Sequence, residues 1–333
     1  EKALQKILPF QHKPPLSYDP TVDELLGILS LYPALYEQKT ADNFIDTIIY
    51  DNDIADNVSF YGLAEAVAKD CLLCFSMPFE IARFSISDIC GYLVQMLDRD
   101  YYVHFLCDTY WVRNYIACGK AHVEHAPLIY GYDSEQRHFL AQDYFDFQRR
   151  SEQPISFADI EASYRNGAFI KRPDEHAMLN SCVLYGVKPV CVKAKEPNLA
   201  KIKQSLINFL DCCPYANTER EGIFYGIRFI DILARRYRDD PGNISLKHCH
   251  FLYCHIRLMA DRVRILQKSG SLPPGEEPAA SLDGMAVYVR NLEMRLLKSR
   301  MSPRAKSVPY GRELGDIKER YAQLIEEILR LMP

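Results

Sequence analysis

What the chain lacks narrows its reading first. It has one tryptophan in 333 residues. No apolar run reaches the roughly 20 residues that cross a bilayer as a helix. The opening EKALQKILPF lacks the apolar core of a secretory signal. An excess of one charge is also missing. Lys and Arg number 40 against 44 Asp and Glu, a net charge of -4, so no electrostatic footprint points to nucleic acid. No phosphate loop, dinucleotide fingerprint or serine-nucleophile elbow is found. No cysteine precedes Cys71.

What remains is a globular composition, 48% hydrophobic and 25% charged, long enough for two ordinary domains. The eleven cysteines do not form the pattern of a disulfide scaffold, which a chain of this length does not need. Reduced thiols and a cytoplasmic location are expected.

Residues 1 to 20 are polar and Pro-rich (LPFQHKPPLSYDP) and read as a surface arm. Val22–Tyr36 has helical spacing, with Asp19 or Thr21 as cap. DNFIDTIIY, Asp42 to Tyr50, reads either as a helix opening at Ala41–Asp42 or as a strand. Ser59–Ala68 reads as a helix and Asp70–Phe75 as a short strand. Ser85–Leu97 reads as a helix capped by Ser85 or Ser87. Three strands follow: Tyr101–Cys107, His125–Tyr132 and His138–Asp143. The last two are joined by the turn signal Gly131–Tyr132–Asp133–Ser134. A helix capped by Ser156 or Asp159 ends at Gly167. Val183–Lys193 reads as a strand whose proline favours an edge. After Glu196–Pro197 the pattern turns helical: Leu199–Leu210, Gly222–Arg238, Ser245–Lys268, Ala279–Lys298 and Arg312–Leu331 carry apolar residues every three to four positions. We therefore expect residues 1–195 to form an α/β domain and 196–333 a helical one.

An antiparallel pairing of the last two strands makes His125, at the start of one, a neighbour of Asp143, at the end of the next. If the preceding strand also pairs with His125–Tyr132, Cys107 or Asp108 approaches from the other side. The sharp reading is a Cys–His–Asp cluster: a Cys107 thiolate as nucleophile, His125 as its base and Asp143 fixing the imidazole tautomer. The bland reading has His125 bonded to a loop, Asp143 capping a turn and Cys107 filling the core.

The segment HVEHAPLIYGYDSEQRHFLAQDYFDF, with Asp108, Tyr110, His125, Gly131, Tyr132, Asp133 and Asp143, resembles the papain-like half of the butirosin-biosynthesis type of acyltransferase. Members of that family move an acyl group from a carrier protein in antibiotic biosynthesis. Relatives occur beside nonribosomal peptide synthetase genes and carry a helical C-terminal part. The resemblance implies an α+β chain: a papain-like, cysteine-peptidase-like N-terminal domain with a central antiparallel sheet, then an all-helical C-terminal domain. It implies acyl transfer, or amide or ester formation, from a carrier-bound thioester to an amine or hydroxyl. Tyr110 and Tyr132 would touch substrate. The donor would arrive on a phosphopantetheine arm of a carrier protein or synthetase, with no metal or other cofactor.

The chain departs from that family at the nucleophile. Active members carry it at the start of an early helix, where the macrodipole lowers the thiol pKa. Here the corresponding stretch reads Thr40, Ala41, Asp42 and Asn43. Three options follow: Cys107 (or Cys71 or Cys74) serves instead, papain-type chemistry is lost, or Asp42 facing His125 acts as a base on the acceptor. Loss of chemistry leaves a binding or scaffold partner of a synthetase.

Three other patterns need weighing. Cys71 and Cys74 have the spacing of half a zinc or redox site, but no second such pair completes it. His248, Cys249, His250, Cys254 and His255 resemble a metal cluster, the basis of a metal-dependent hydrolase reading. Their segment is strongly apolar, which favours a packed helix. Arg228, Arg235, Arg236, Arg238, Arg257, Arg262 and Arg264 make either a solvated face paired with acids or a surface for an acidic carrier protein.

Overall fold

The computed structural model describes residues 4–11, 20–51, 58–60, 71–146, 149–167, 182–189, 193–214, 221–239, 246–275, 277–301 and 310–333. In chain order its elements begin with β1 (Gln5–Ile7), α1 (Pro20–Leu29), α2 (Pro33–Asp42), β2 (Thr47–Tyr50) and β3 (Val58–Phe60). Next come β4 (Leu72–Pro78), α3 (Phe79–Ser85), α4 (Ile89–Asp98), β5 (Tyr102–Phe105), β6 (Cys107–Asp108) and β7 (Glu124–His125). They are followed by β8 (Leu128–Asp133), β9 (His138–Asp143), β10 (Ser151–Ser156), α5 (Phe157–Asn166) and β11 (Cys182–Pro189). The chain ends with α6 (Leu199–Asp211), β12 (Ile223–Tyr225), α7 (Arg228–Asp239), α8 (Leu246–Lys268), α9 (Glu277–Met301) and α10 (Tyr310–Leu331).

These elements form a mixed α+β protein with an antiparallel sheet and a helical C-terminal region. The chain divides into two compact units, residues 1–14 with 68–192 and residues 15–67 with 193–333. The last break, between residues 192 and 193, lies beside the composition change at Glu196–Pro197. Residues 15–67, which sequence order groups with the sheet, instead fold with the helices.

In the first unit the strands run β10–β9–β8–β5–β11–β4, with β1 also paired to β8. Every pairing is antiparallel. The β8–β9 hairpin closes where Asp133 accepts the Gln136 amide at 2.9 Å and Arg137 adopts φ 52°. β1 and β5 share one side of β8, pairing with its two ends. Gly131 permits this, because a Cβ there would stand 2.8 Å from the Lys6 carbonyl oxygen. α4 buries Ile89, Cys90, Leu93 and Leu97, and α5 buries Phe157, Ile160 and Tyr164.

Several local expectations change. The Val22–Tyr36 pattern is two helices, because Pro33 takes the first turn of α2 and starts it afresh. Asp42–Tyr50 resolves into the end of α2 followed by strand β2. The helix expected from Ser59 begins instead as strand β3, and its remainder lies outside the described residues. Ser85 ends α3, and the cap of α4 is Asp88, which accepts the Gly91 amide at 2.8 Å. Ser156 caps α5 through the Asp159 amide at 3.1 Å. β11 is an inner strand between β5 and β4; Pro189 is tolerated because it stands at the strand's last position. The expected helix from Gly222 opens as strand β12, and helix α7 starts only at Arg228.

The second unit is built on a three-stranded sheet, β12–β2–β3, with α1, α2 and α6 to α10. His255 lies at its centre, stacked with Phe60 and Phe209 at 5.6 and 4.8 Å. Its Nε2 donates to the Ile45 carbonyl at 2.9 Å, so its Nδ1 accepts the Tyr321 hydroxyl at 2.7 Å. Burial holds this imidazole neutral, with its pKa lowered to about 3. The buried Arg262 guanidinium donates to the carbonyls of Thr40, Ala41 and Asn43. It thereby covers the negative end of α2 with a cation.

Candidate functional site

Pro127 breaks the single strand expected over His125–Tyr132. Upstream of it, β7 pairs with β6, placing Cys107 opposite His125 and Asp108 opposite Glu124. Downstream, β8 pairs with β5 and β9, placing Leu128 opposite His104 and Gln142. The chain thus changes partners at Ala126–Pro127, and His125 meets the end of β9 at that junction. His125 Nδ1 lies 2.5 Å from Asp143 Oδ2. An ionised carboxylate only accepts, so Nδ1 carries the proton and Nε2 the lone pair.

Asp143 is buried, and both of its oxygens are used. Oδ1 accepts the Tyr144 amide at 2.7 Å. Oδ2 accepts the Tyr115 hydroxyl as well as His125. Tyr115 comes from the loop between β6 and β7. Its ring lies 5.6 Å from that of His125 and 4.9 Å from that of Phe145. Burial first, then Cys107 and Asp143, raise its phenol well above the ordinary range. The His125 side chain keeps 22% of its surface exposed. The result is an imidazole at the surface, oriented by a buried carboxylate that a buried tyrosine also holds.

Cys107 occupies the position opposite His125, yet its exposure is 0%. Burial, followed by the charge of Asp143, pushes its thiol well above the ordinary value, and the Tyr115 hydroxyl only partly opposes this. A thiol in that setting stays protonated, the reverse of an activated nucleophile. The strand register delivers the expected neighbour, and the environment removes its expected chemistry.

Asp108 serves a different histidine from the one expected. Its Oδ2 lies 2.7 Å from His122 Nδ1, and its Oδ1 accepts the Tyr110 amide at 3.1 Å. Tyr110 stacks on His122, with ring centroids 4.4 Å apart and planes at 16°. A second carboxylate–imidazole pair therefore stands three residues from the first, with the His122 side chain 49% exposed. The sequence alone does not mark His122. The signal that would have found it is the HVEH spacing set against two strand-end aspartates.

Tyr132 does not reach this site. It is fully buried, and its hydroxyl donates to Asp98 of α4 at 2.7 Å. Burial and that carboxylate push its phenol up to about 12. Asp42 belongs to the other unit, at the C-terminal end of α2 rather than at the start of a helix. There its Oδ1 accepts the Asn198 amide at 2.7 Å and its Oδ2 the Gln38 side chain at 3.2 Å. Those bonds tie α2 to the start of α6 and replace the base role expected of Asp42. A nucleophile at positions 40 to 43 would also meet the negative, not the positive, end of a helix.

The remaining patterns resolve structurally. Cys71 is buried and Cys74 is half-buried. Both nitrogens of His255 are occupied, and His250 Nδ1 lies 3.3 Å from Glu293. Among the described residues no group of three or more His, Cys, Asp and Glu side chains is placed to hold a metal ion. Arg235 and Arg236 pair with Asp51, and Arg257 and Arg264 pair with Asp283. Arg262 is buried, and Arg228 lies over the Phe224 ring. No helix of the described residues is long and apolar enough to cross a membrane.

No protein-family model matches the chain, and no curated protein matches it either.

Proposed function

We propose that the protein catalyses acyl transfer from a carrier-bound thioester to an amine or hydroxyl, with His125 as general base and no covalent enzyme intermediate. The observation that carries this reading is the 2.5 Å contact between His125 Nδ1 and Asp143 Oδ2, on an imidazole that keeps part of its surface exposed. The buried, protonated Cys107 argues for direct attack by the acceptor over a thioester relay through the protein. In the step, the acceptor's N–H or O–H proton passes to His125 Nε2 as its lone pair attacks the thioester carbonyl. The C–S bond then breaks, and the departing thiolate takes the proton back from the imidazolium. Asp143 stabilises the imidazolium and fixes its orientation without taking the proton.

The substrate class comes from the sequence resemblance: a phosphopantetheine-borne acyl or peptidyl group on a carrier protein or nonribosomal peptide synthetase, in natural-product biosynthesis. With it goes a papain-like reading of the sheet unit and a cytoplasmic location. A thioester is already activated, so this chemistry requires no metal or nucleotide. The test is incubation with acyl-loaded carrier protein and a panel of small amines and alcohols. Mass spectrometry reads both the acylated acceptor and the freed phosphopantetheine thiol. Acceptor-dependent thiol release is expected. Release only at the rate of buffer hydrolysis, across carriers encoded beside this gene, would overturn the proposal.

The buried Cys107 also favours a second reading, a non-catalytic partner of a synthetase. It predicts carrier binding with no turnover in the same assay.

A further inference from the structure

We propose that Tyr115 is a positioning residue that sets the basicity of His125 by donating to the same Asp143 oxygen that receives the imidazole. The inference rests on the reading of His125 as a base.

Four side chains form a continuous polar chain through the site: Cys107, Tyr115, Asp143 and His125. The Tyr115 hydroxyl donates to the Asp143 carboxylate and also interacts with the Cys107 thiol. Its ring is 2% exposed. The loop holds it in place: the Tyr115 amide donates to the Val112 carbonyl at 3.1 Å and the Ile116 amide to the Phe145 carbonyl at 3.1 Å. At the root of that loop, the Thr109 amide donates to the Val123 carbonyl at 2.9 Å, and Asp108 meets His122 across the same gap.

The consequence follows from charge. Asp143 Oδ2 is one acceptor shared by two donors. Each hydrogen bond to a carboxylate draws off part of its negative charge. A buried phenol donating there leaves less of that charge to hold a proton on His125. Removing that donor leaves the full carboxylate charge facing the imidazole. Among the described residues, the ionisable groups on the elements packed against the pair include Cys107 and Asp108 of β6, Glu124 next to His125 on β7, and Tyr115 of the loop. Cys107 stays neutral, and Asp108 is tied to His122. Tyr115 is therefore the group whose removal alters Asp143 directly while leaving the number of charges unchanged.

The test uses the full chain, labelled with 15N, and follows the His125 ring nitrogens through a pH titration by two-bond 1H–15N correlation. Three proteins are compared: the parent, Tyr115→Phe, and the chain carrying 3-fluorotyrosine at position 115. Tyr115→Phe keeps the ring and removes the donor, so the His125 midpoint should rise. The fluorinated phenol is a stronger donor, so the midpoint should fall. A tyrosine that merely fills space gives the same midpoint with either phenol. An unmoved midpoint in both variants, or a shift of the same sign in both, overturns the proposal. If Tyr115→Phe does not fold, the fluorinated chain decides alone, with an unmoved or raised midpoint overturning the proposal. The titration needs no substrate. A parent that transfers no acyl group defeats the functional reading and leaves this test standing. An active parent with unmoved midpoints defeats only the role of Tyr115.

Discussion

Cys107 and His125 are direct cross-strand partners, yet the thiol is sealed from solvent and its polar neighbour is Tyr115 rather than the imidazole. That placement fits the reading of a nucleophile and its base. Burial reverses the reading. A thiolate in an apolar site beside the Asp143 carboxylate is disfavoured twice, by lost hydration and by like charge.

Cys107 should therefore resist alkylation. Iodoacetamide at mild alkaline pH is expected to label half-exposed cysteines such as Cys118 and Cys213, and to reach Cys107 only on unfolding. Peptide mass spectrometry against time checks this. Labelling of Cys107 at the rate of a free thiol in the folded protein would restore it as a nucleophile.

Asp143→Asn should keep the shape of the site and lose its orientation. The amide cannot serve as anionic acceptor for Nδ1–H, so the tautomer with Nε2 protonated gains weight and the base is lost. Acyl transfer is expected to fall by about 10³–10⁴-fold, with the circular dichroism spectrum unchanged. A loss under tenfold would mean that His125 is not oriented by Asp143.

Arg262 should be among the most sensitive positions of the second unit. Arg262→Met leaves three backbone carbonyls at the end of α2 without their donor. The cost is expected at roughly 3 kcal/mol or more, from buried unsatisfied acceptors. Arg262→Lys should recover little, because one ammonium cannot reproduce a planar fork directed at three oxygens. Urea denaturation midpoints of both variants measure the effect.

The buried His255 should make the second unit acid-sensitive. The unfolded imidazole takes its proton near 6.5, whereas the folded one resists protonation down to about 3. Between those values the unfolded chain binds more protons, so stability rises with pH across the window. The full contribution is present above pH 6.5 and is lost as pH falls toward 3, a change on the order of 5 kcal/mol. Unfolding midpoints measured from pH 7 to pH 4 should decline, and less steeply in His255→Phe, which has no imidazole to protonate.

The parts of the site legible in the sequence are those carried by strand alternation and turn chemistry. The turn after Asp133 announces the β8–β9 hairpin, and strand ends then bring His125 toward Asp143. The less legible parts sit in irregular backbone. Tyr115 and His122 lie on a fifteen-residue excursion between β6 and β7 whose course no periodicity encodes; its span runs from Thr109 to Val123. Helix starts are less legible where several caps compete: Ser85 and Ser87 look as suitable as Asp88, and only packing decides. Asp42 shows the same limit. Its segment supports either a helix start or a strand, and Pro33, nine positions upstream, begins the helix that ends there. The grouping of residues 15–67 with the C-terminal helices is invisible in sequence order, because it depends on β2 pairing with β12 across a long separation.

The most direct measurement compares His125→Ala and Cys107→Ala with the parent in thioester turnover, using acyl-loaded carrier and a saturating amine acceptor. Turnover should collapse in His125→Ala and stay within about threefold of the parent in Cys107→Ala, since buried-cavity changes act on stability more than on rate. Parental turnover in His125→Ala, or its abolition in a folded Cys107→Ala, would contradict the assignment of the base.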